Sequence, residues 1–284
     1  MRKRSFLEKI LARTGGIGKG ARLFEPPTIG SAVRFPYGPF QFKIEVSKGV
    51  PYEIEATTNL RSWVSILKST SSGASDFLDS DAAKFSYRFY RVNSNGLSSA
   101  KTIGYASIIL APGFTMVGNP LVRAQDSLPE LFKEMPEGTI VSKFDSRFHS
   151  LRENVLKGGK WTNSDERIGF GEGAIVFNPS PDYKVLTFVG EANLDGVSIP
   201  VPAGFSIQTS TVPEPGALYP DLRFPISDED VIHLFDRDQQ KYVLYPYNNG
   251  TWSAGPPIVG VAESFWVAKR APGNWNHDLT VRPN

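Results

Sequence analysis

Hydrophobic and polar residues alternate along the chain from about residue 35 onward. Apolar side chains occupy every second position in two neighbouring segments, at Phe40, Phe42, Ile44 and Val46 and then at Tyr52, Ile54 and Ala56. This period places one face of a β-strand against a core and the other face in water. Further strands are predicted at 63–69 and 87–92. About five to seven short strands within about 70 residues are typical of a small sandwich of the immunoglobulin or fibronectin kind.

The second half of the chain repeats a set of sequence features at an offset of 91 residues. The matching features are the Gly-Phe pairs at 113 and 204, the Phe-Asp pairs at 144 and 235, and the residues Trp161 and Trp252, Glu172 and Glu263, and Val176 and Val267. A constant offset between separated anchors predicts an internal duplication. Near the end, residues 279–281 match 186–188 if two residues are inserted. We expect the two copies to pack as one pseudo-symmetric β domain, because one copy of about 80 residues is too small to bury both faces of its sheet.

The second copy departs from the first at two turns. Gln208–Ser210 stands where the first copy has the Gly-Asn-Pro of Gly118–Pro120, and Ala262 stands where the first copy has Gly171. Glycine is the residue that adopts tight, left-handed turn conformations at little cost. We therefore expect only the first copy to need the tighter turn.

Composition and turn residues divide the chain into five predicted segments. These are a basic N-terminal tail at 1–33, a β-sandwich at 34–100, a linker with the first strand of the second half at 101–110, β repeat 1 at 111–195 and β repeat 2 at 196–284. The chain contains 26 Gly, 22 Pro and 19 Phe among 284 residues, which favours many turns and aromatic-rich strands. The predicted fold class is all-β, with a small immunoglobulin- or fibronectin-like sandwich followed by an internally duplicated β domain.

Three separated motifs carry a resemblance to a bacterial family. They are the segments Tyr52–Trp63, Phe77–Ala83 and Arg88–Val92. In order and spacing they resemble a module common near the C-termini of large surface proteins of the Verrucomicrobia and their relatives, in which an x-Leu-x-x-Trp corner, an acidic turn and an Arg-Phe-Tyr-Arg strand follow one another. The second half is similar to repeats of the same proteins at Gly113–Pro120, Gly171–Phe177 and Leu186–Glu191. The resemblance implies a location at the cell surface or outside the cell, and it brings no assigned reaction.

The charge of the chain is unevenly distributed. Residues 1–22 hold seven Lys or Arg against one Glu, a charge of +6, which leaves −4 for the rest of a chain whose net charge is +2. A mildly acidic body argues against a nucleic-acid-binding surface on the folded part. No stretch approaches the roughly 20 apolar residues that a transmembrane helix needs. The basic charge therefore belongs to the tail and sets it apart from the body.

The tail is a candidate docking segment for a partner. Apolar residues at helical spacing follow a basic cluster, and the candidates are Arg2, Lys3, Arg4, Phe6, Leu7, Ile10 and Leu11. Such a segment suits an acidic groove or an anionic membrane surface. A solvated terminus and a degraded twin-arginine export motif are the alternatives. Charged residues interrupt any apolar signal region, so the cytoplasm stays open beside the extracellular location that the resemblance implies.

Few residues are candidates for metal binding or catalysis. The absence of cysteine excludes disulfides, thiolate zinc sites and a cysteine nucleophile. Asp76, Asp79 and Asp81 have a loop spacing that calcium could use, although aspartate also stabilises turns by bonding its own backbone. His149, His233 and His277 have no partners at ligand spacing. No motif indicates a cofactor.

The carboxylates Glu172 and Glu263 are the candidates for a glycosidase pair. Such a pair needs two carboxyl groups about 5 to 10 Å apart across a cleft. Because these two residues are equivalent in the predicted duplication, we favour a repeated structural role, such as binding backbone amides of the preceding turn.

The segment 242–252 is richer in aromatic residues than a core requires. The candidates for a binding surface are Tyr242, Tyr245, Tyr247 and Trp252. Strand alternation places Tyr245 and Tyr247 on one face and Tyr242 on the other, and Asn249-Gly250 is a hairpin turn signal. An exposed aromatic face would suit stacking on a glycan ring or contact with another protein.

The sequence thus favours a non-enzymatic binding or structural module of a bacterial surface or extracellular assembly. Its partner would be a protein or a glycan, and homo- or hetero-oligomers stay open. One alternative is a carbohydrate-active enzyme or glycan-binding protein. Another is a structural component of a larger particle that is docked by the basic tail.

Overall fold

A computed structural model describes residues 25–35, 38–122 and 126–277 of the chain. The regular secondary structure of the described part consists almost entirely of antiparallel strands, which confirms the predicted all-β class. Its helices are a short 3-10 helix, Ser80–Lys84, and a single turn, α1, Leu128–Leu131. Neither of these, nor any other helix of the described ranges, has the length and apolar character needed to cross a membrane. The docking candidates of the tail lie outside the described residues.

The strands of the first half are β1 (Thr28–Arg34), β2 (Phe40–Glu45), β3 (Pro51–Thr57), β4 (Val64–Thr70), β5 (Ser75–Asp79), β6 (Tyr87–Ser94), β7 (Leu97–Ser98) and β8 (Ile103–Leu110). Those of repeat 1 are β9 (Gly113–Gly118), β10 (Ile140–Asp145), β11 (Ser150–Lys157), β12 (Lys160–Trp161), β13 (Gly173–Asn178) and β14 (Lys184–Glu191). Those of repeat 2 are β15 (Val197–Val201), β16 (Gly204–Thr209), β17 (Gly216–Ala217), β18 (Asp230–Asp236), β19 (Lys241–Asn248), β20 (Thr251–Trp252), β21 (Ile258–Val259), β22 (Ser264–Lys269) and β23 (Gly273–His277).

The strands β1 to β7 form what we call the first unit. It packs a three-stranded sheet, β1-β2-β5, against a larger sheet that contains β3 and β6. The alternation in β2 is confirmed, because Phe40, Phe42 and Ile44 are buried while the residues between them are more exposed. Phe40 stacks on Tyr90 of the facing sheet with ring centroids 5.1 Å apart. The period of two in the sequence therefore identifies the core face of this unit.

The larger sheet joins the first unit to repeat 1. Its order is β14-β8-β6-β3-β4, with β14 paired to β8 along its whole length. One core cluster accordingly combines Leu60 and Phe89 of the first unit with Val117 and Val176 of repeat 1. The domain boundaries stay predictions, but strand pairing crosses the one placed at 101–110.

The central sheets of the two repeats have the same strand order. Repeat 1 has β12-β11-β10-β13-β9 and repeat 2 has β20-β19-β18-β22-β16. The registers also agree, since Phe114 pairs with Phe177 and Phe205 pairs with Ala268, each 91 residues further on. A common order and register is what an internal duplication predicts, and the duplication itself stays a prediction. The same register places Thr209, one residue beyond Gln208, in the position of Gly118.

The turns of the two repeats also share their backbone conformation. Ala262 has a φ of 63°, close to the 74° of Gly171, so the expectation that only the first copy needs the tight turn is wrong. An alanine tolerates this region at a cost of about 1 to 2 kcal/mol, and the surrounding fold holds it there. The Asn249-Gly250 hairpin turn is confirmed, because both residues have positive φ and join β19 to β20.

The last strand of repeat 2 differs from the sequence alignment. β23 pairs with β15 as β14 pairs with β8, which sets Trp275 opposite Ile199 where repeat 1 sets Leu186 opposite Ile108. Trp275 is therefore the structural counterpart of Leu186, whereas the matched residues 279–281 lie outside the described ranges. The Leu-Thr-apolar pattern suits any half-buried strand, so it could not fix the alignment.

Candidate functional site

A groove lined by aromatic side chains lies where the two repeats meet. Its volume is about 330 Å³, and its lining residues are Phe144, His149, Phe205, His233, Tyr242 and Trp266. We call this site the aromatic groove. No acidic residue, lysine or arginine belongs to the lining, so the groove is suited to apolar or aromatic groups.

Both repeats contribute to the aromatic groove. Phe144 lies near the end of β10, and His149 lies in the hairpin that follows it. Repeat 2 contributes one face of its sheet, since His233 of β18 is the cross-strand partner of Trp266 of β22. Phe205 comes from β16, the edge strand of that sheet. Because side chains alternate across a strand, the groove residues of repeat 2 lie on the face of its sheet that is opposite the repeat 2 core.

The rings of the groove meet at steep angles. Trp266 lies 4.8 Å from Phe144 at 75° and 6.4 Å from Phe205 at 79°. His233 lies 5.8 Å from Phe205 at 63° and 6.4 Å from Tyr242 at 80°. Edge-to-face pairs of this kind are worth about 0.5 to 1.5 kcal/mol each. Rings held at such angles leave a hollow between them instead of stacking into a flat layer.

Two polar side chains of the groove, His233 and Tyr242, are held in their neutral forms. The Trp266 Nε1–H donates to the Tyr242 hydroxyl over 3.2 Å. Burial lowers the pKa of His233 below its ordinary value and raises the pKa of Tyr242. Both side chains are therefore uncharged near pH 7.

The groove opens onto an exposed apolar surface. Phe205 is 50% exposed and Tyr242 is 40% exposed, and the neighbouring Phe148 and Leu244 are exposed as well. Large apolar side chains that are exposed around a hollow are typical of binding sites.

The structure divides the predicted aromatic surface between the two faces of β19. Tyr242 lines the aromatic groove, whereas Tyr245 and Trp252 pack against the core of repeat 2. Tyr247 lies with its ring 5.0 Å from that of Trp252. The predicted alternation was right, and Tyr242 is the candidate on the groove face. The sequence did not indicate that Phe144, His149 and Phe205 would join it, because they come from other strands.

The carboxylates of Glu172 and Glu263 hold equivalent turns. Glu172 Oε2 accepts a hydrogen bond from the Gly169 N–H at 2.9 Å, and Glu263 Oε2 accepts one from the Gly260 N–H at 2.8 Å. Glu172 also forms an ion pair of 2.5 Å with Lys143. The predicted role in binding backbone amides of the preceding turn is confirmed.

The three aspartates proposed for calcium have different surroundings. Asp79 is buried, and it accepts hydrogen bonds from the Tyr90 hydroxyl at 2.7 Å and from the Asp81 N–H at 3.0 Å. Arg88 lies 3.0 Å from the same carboxylate. Asp76 is exposed on β5. The bond from the Asp81 N–H to the Asp79 side chain is what the turn interpretation predicts. Within the described ranges no group of three or more acidic or histidine side chains is placed to hold a metal ion.

Of the three histidines, two belong to the groove. His149 and His233 line it together, although the sequence shows no spacing that joins them. His277 lies at the end of β23 opposite Val197.

Comparison of the chain with protein-family models, with curated proteins and with solved structures finds no match.

Proposed function

We propose that this chain is a non-enzymatic binding module whose binding surface is the aromatic groove. The observation that carries the proposal is the set of six aromatic side chains from two repeats around one hollow of about 330 Å³ with no ionic side chain in its lining. Leaving Phe205 and Tyr242 half in water is unfavourable for a free protein. A ligand that covers them would remove that apolar surface from water.

A protein partner suits the groove better than a glycan. Sugar hydroxyls need hydrogen-bond partners when they leave water. The lining offers few such groups, and two of them, the Trp266 indole N–H and the Tyr242 hydroxyl, are already bonded to each other. Membership of a bacterial surface or extracellular assembly is part of the same proposal, and it rests on the sequence resemblance alone.

The proposal is tested by measuring binding to arrays of glycans and peptides. The variant is Trp266→Ile with Tyr242→Leu, which installs the residues found 91 positions earlier at Ile175 and Leu151. We expect the variant to fold and to lose binding by at least about tenfold, since truncating a buried aromatic anchor costs about 2 kcal/mol or more. Tyr183→Leu, an exposed aromatic position outside the groove, is the matched control and should bind as the unaltered protein does. Equal binding by all three proteins would overturn the proposal.

The rival hypothesis is a carbohydrate-active enzyme that uses Glu172. Assays for turnover of polysaccharides, run beside the binding arrays, separate the two. Turnover that is abolished by Glu172→Gln in a folded protein would favour the rival and contradict the proposal.

A further inference from the structure

The edge strand of the first repeat is bound by an amide side chain from the second repeat. The side chain of Gln240, at the tip of the β18–β19 hairpin, accepts a hydrogen bond from the Phe114 N–H at 2.7 Å and donates one to the Phe114 carbonyl at 2.9 Å. Phe114 lies in β9, the edge strand of its sheet. The outward N–H and C=O groups of an edge strand are a template for another peptide group. Gln240 satisfies them with its side-chain amide.

The equivalent position in the second repeat lacks this amide. Phe205 of the edge strand β16 has the register of Phe114, so its N–H and C=O point to the corresponding side. His149 stands 91 residues before Gln240 and has nearly the same φ, 49° against 51°. Among the described residues, no side chain makes the corresponding pair of bonds to Phe205.

The positions that line the groove in repeat 2 are occupied by different kinds of residue in repeat 1. Repeat 1 has Ser142, Leu151 and Ile175 where repeat 2 has His233, Tyr242 and Trp266. We call the place where the edge strand of one repeat meets the hairpin tip of the other a junction, and the described residues form two: one at Phe205 and His149, the other at Phe114 and Gln240. The second phenylalanine is also the same in both, at 144 in the former and at 235 in the latter. The junction closed by Gln240 is thus aliphatic or polar at the positions where the other junction is aromatic.

We propose that the aromatic groove takes an extended peptide segment of a partner protein, whose main chain pairs with Phe205 as the Gln240 amide pairs with Phe114. This inference rests on the proposed binding function and names its partner class. The partner residue exchanges its N–H and C=O with those of Phe205. Directly opposed residues of a strand pair place their side chains on the same face. The partner side chain therefore enters the groove beside the Phe205 ring, and an apolar or aromatic residue fits there.

The first experiment uses N-acetyl-phenylalanine N-methylamide as the probe. Its matched control is the ester O-acetyl-3-phenyllactic acid N-methylamide, in which an oxygen replaces the pairing N–H. Titration is followed through the NMR resonances of the Phe205 amide and the Trp266 indole. We expect both resonances to shift with the amide probe, and the ester to bind about fivefold more weakly, as the loss of one hydrogen bond predicts.

The second experiment occupies the main-chain groups of Phe205 with a side chain of the protein itself. His149→Gln places a carboxamide where Gln240 has one, on a backbone conformation that a glutamine already adopts in this fold. We expect the Phe205 amide resonance of this variant to move without any ligand, and the affinity for the probe to fall at least about fivefold. Gln240→His is the matched control. It alters the first junction alone and should leave the affinity at Phe205 unchanged.

The possible results separate the inference from the proposed function. Equal binding of amide and ester in the groove would overturn the peptide inference and leave an apolar binding site in place. A Phe205 resonance that depends on protein concentration alone would identify a second copy as the occupant, and this too would overturn the inference. No shift in the groove with the probe or with any ligand of the arrays would overturn both.

Discussion

At the scale of single residues, repeat 2 buries a pair of charged side chains that repeat 1 lacks. Asp230 and Lys269 form an ion pair of 2.5 Å with side chains that are 0% and 1% exposed. Asp230 also accepts hydrogen bonds from the N–H groups of Ser227 and Arg270. Repeat 1 has Thr139 and Asn178 at the corresponding positions. The charges of the pair therefore belong to repeat 2 alone and depend on each other.

Removing one partner should be costly because it leaves the other charge buried. We expect Asp230→Thr alone, or Lys269→Asn alone, to lower the free energy of unfolding by about 3 to 5 kcal/mol. The double variant Asp230→Thr with Lys269→Asn, which installs the pair of repeat 1, should cost less than either single change. Urea denaturation of the four proteins measures this coupling. Strictly additive effects would show that the two groups do not compensate each other.

Gly171, in the turn before Glu172, occupies a backbone conformation that favours glycine. Gly171 has a φ of 74°, and a Cβ there would lie 3.0 Å from Cγ2 of Thr211. We expect Gly171→Ala to destabilise the fold by about 2 kcal/mol, the sum of left-handed strain and this contact. Gly158→Ala, at a φ of 62° in open space, is the control and should show the strain alone, about 1 kcal/mol. Equal values from denaturant unfolding would mean that Thr211 yields without cost.

His233 makes stability depend on pH with a definite sign. Burial lowers its pKa in the folded protein below the ordinary value of 6.5, so the folded state binds fewer protons than the unfolded state in that region. As far as it depends on His233, the free energy of unfolding is therefore highest above about pH 6.5, and it falls as the pH drops below that value. Comparison of urea midpoints at pH 7.5 and 5.5 should show a smaller loss for His233→Ser, which installs the repeat 1 residue. An equal loss in both proteins would assign the effect to other groups.

At the scale of elements, β8 connects the first unit to repeat 1, because it pairs with β6 on one side and with β14 on the other. β14 belongs to repeat 1 in sequence, yet it completes the larger sheet of the first unit. Phe89 and Leu60 of the first unit are buried in the core that repeat 1 shares. The first unit is thus covered by strands that follow it in the chain.

This pairing predicts how fragments behave. A fragment of residues 25–100 would expose Phe89, Leu60 and the unpaired edge of β6, so we expect it not to form a stable fold. Residues 25–192, which restore β8 and β14, should give the dispersed amide resonances of a folded protein. Cooperative unfolding of the shorter fragment would mean that the first unit is self-sufficient.

At the scale of the whole molecule, the separation of charge suggests separate roles for tail and body. Residues 1–24 lie outside the described residues, and the docking candidates fall among them. A helix of about ten residues is marginal without a partner. We expect deletion of 1–24 to leave the melting temperature unchanged while altering what the protein joins or where it is found. A large fall in melting temperature would instead make the tail part of the core.

The sequence by itself determined the features that depend on neighbours in the chain. The alternation in β2 and the Asn249-Gly250 turn were predictable because a period of two and a turn dipeptide each act over a few residues. The amide-binding role of Glu172 was predictable because the same residue recurs 91 positions further on and the amide it binds lies only three residues before it. The strand order of each repeat is consistent with the offset of 91 residues.

The tertiary structure alone decided which distant segments meet. β14 pairs with β8 and so extends the larger sheet of the first unit, while its Phe188 lies in the core cluster that also holds Val176 of repeat 1. The aromatic groove could not be predicted from the sequence, because its residues also come from distant segments. Phe144, Phe205 and Trp266 stand on three strands of two sheets, and each is unremarkable within its own strand. Only the pairing of edges and faces across the two repeats brings them together, because contacts between distant strands are set by the global burial of apolar surface rather than by local pattern.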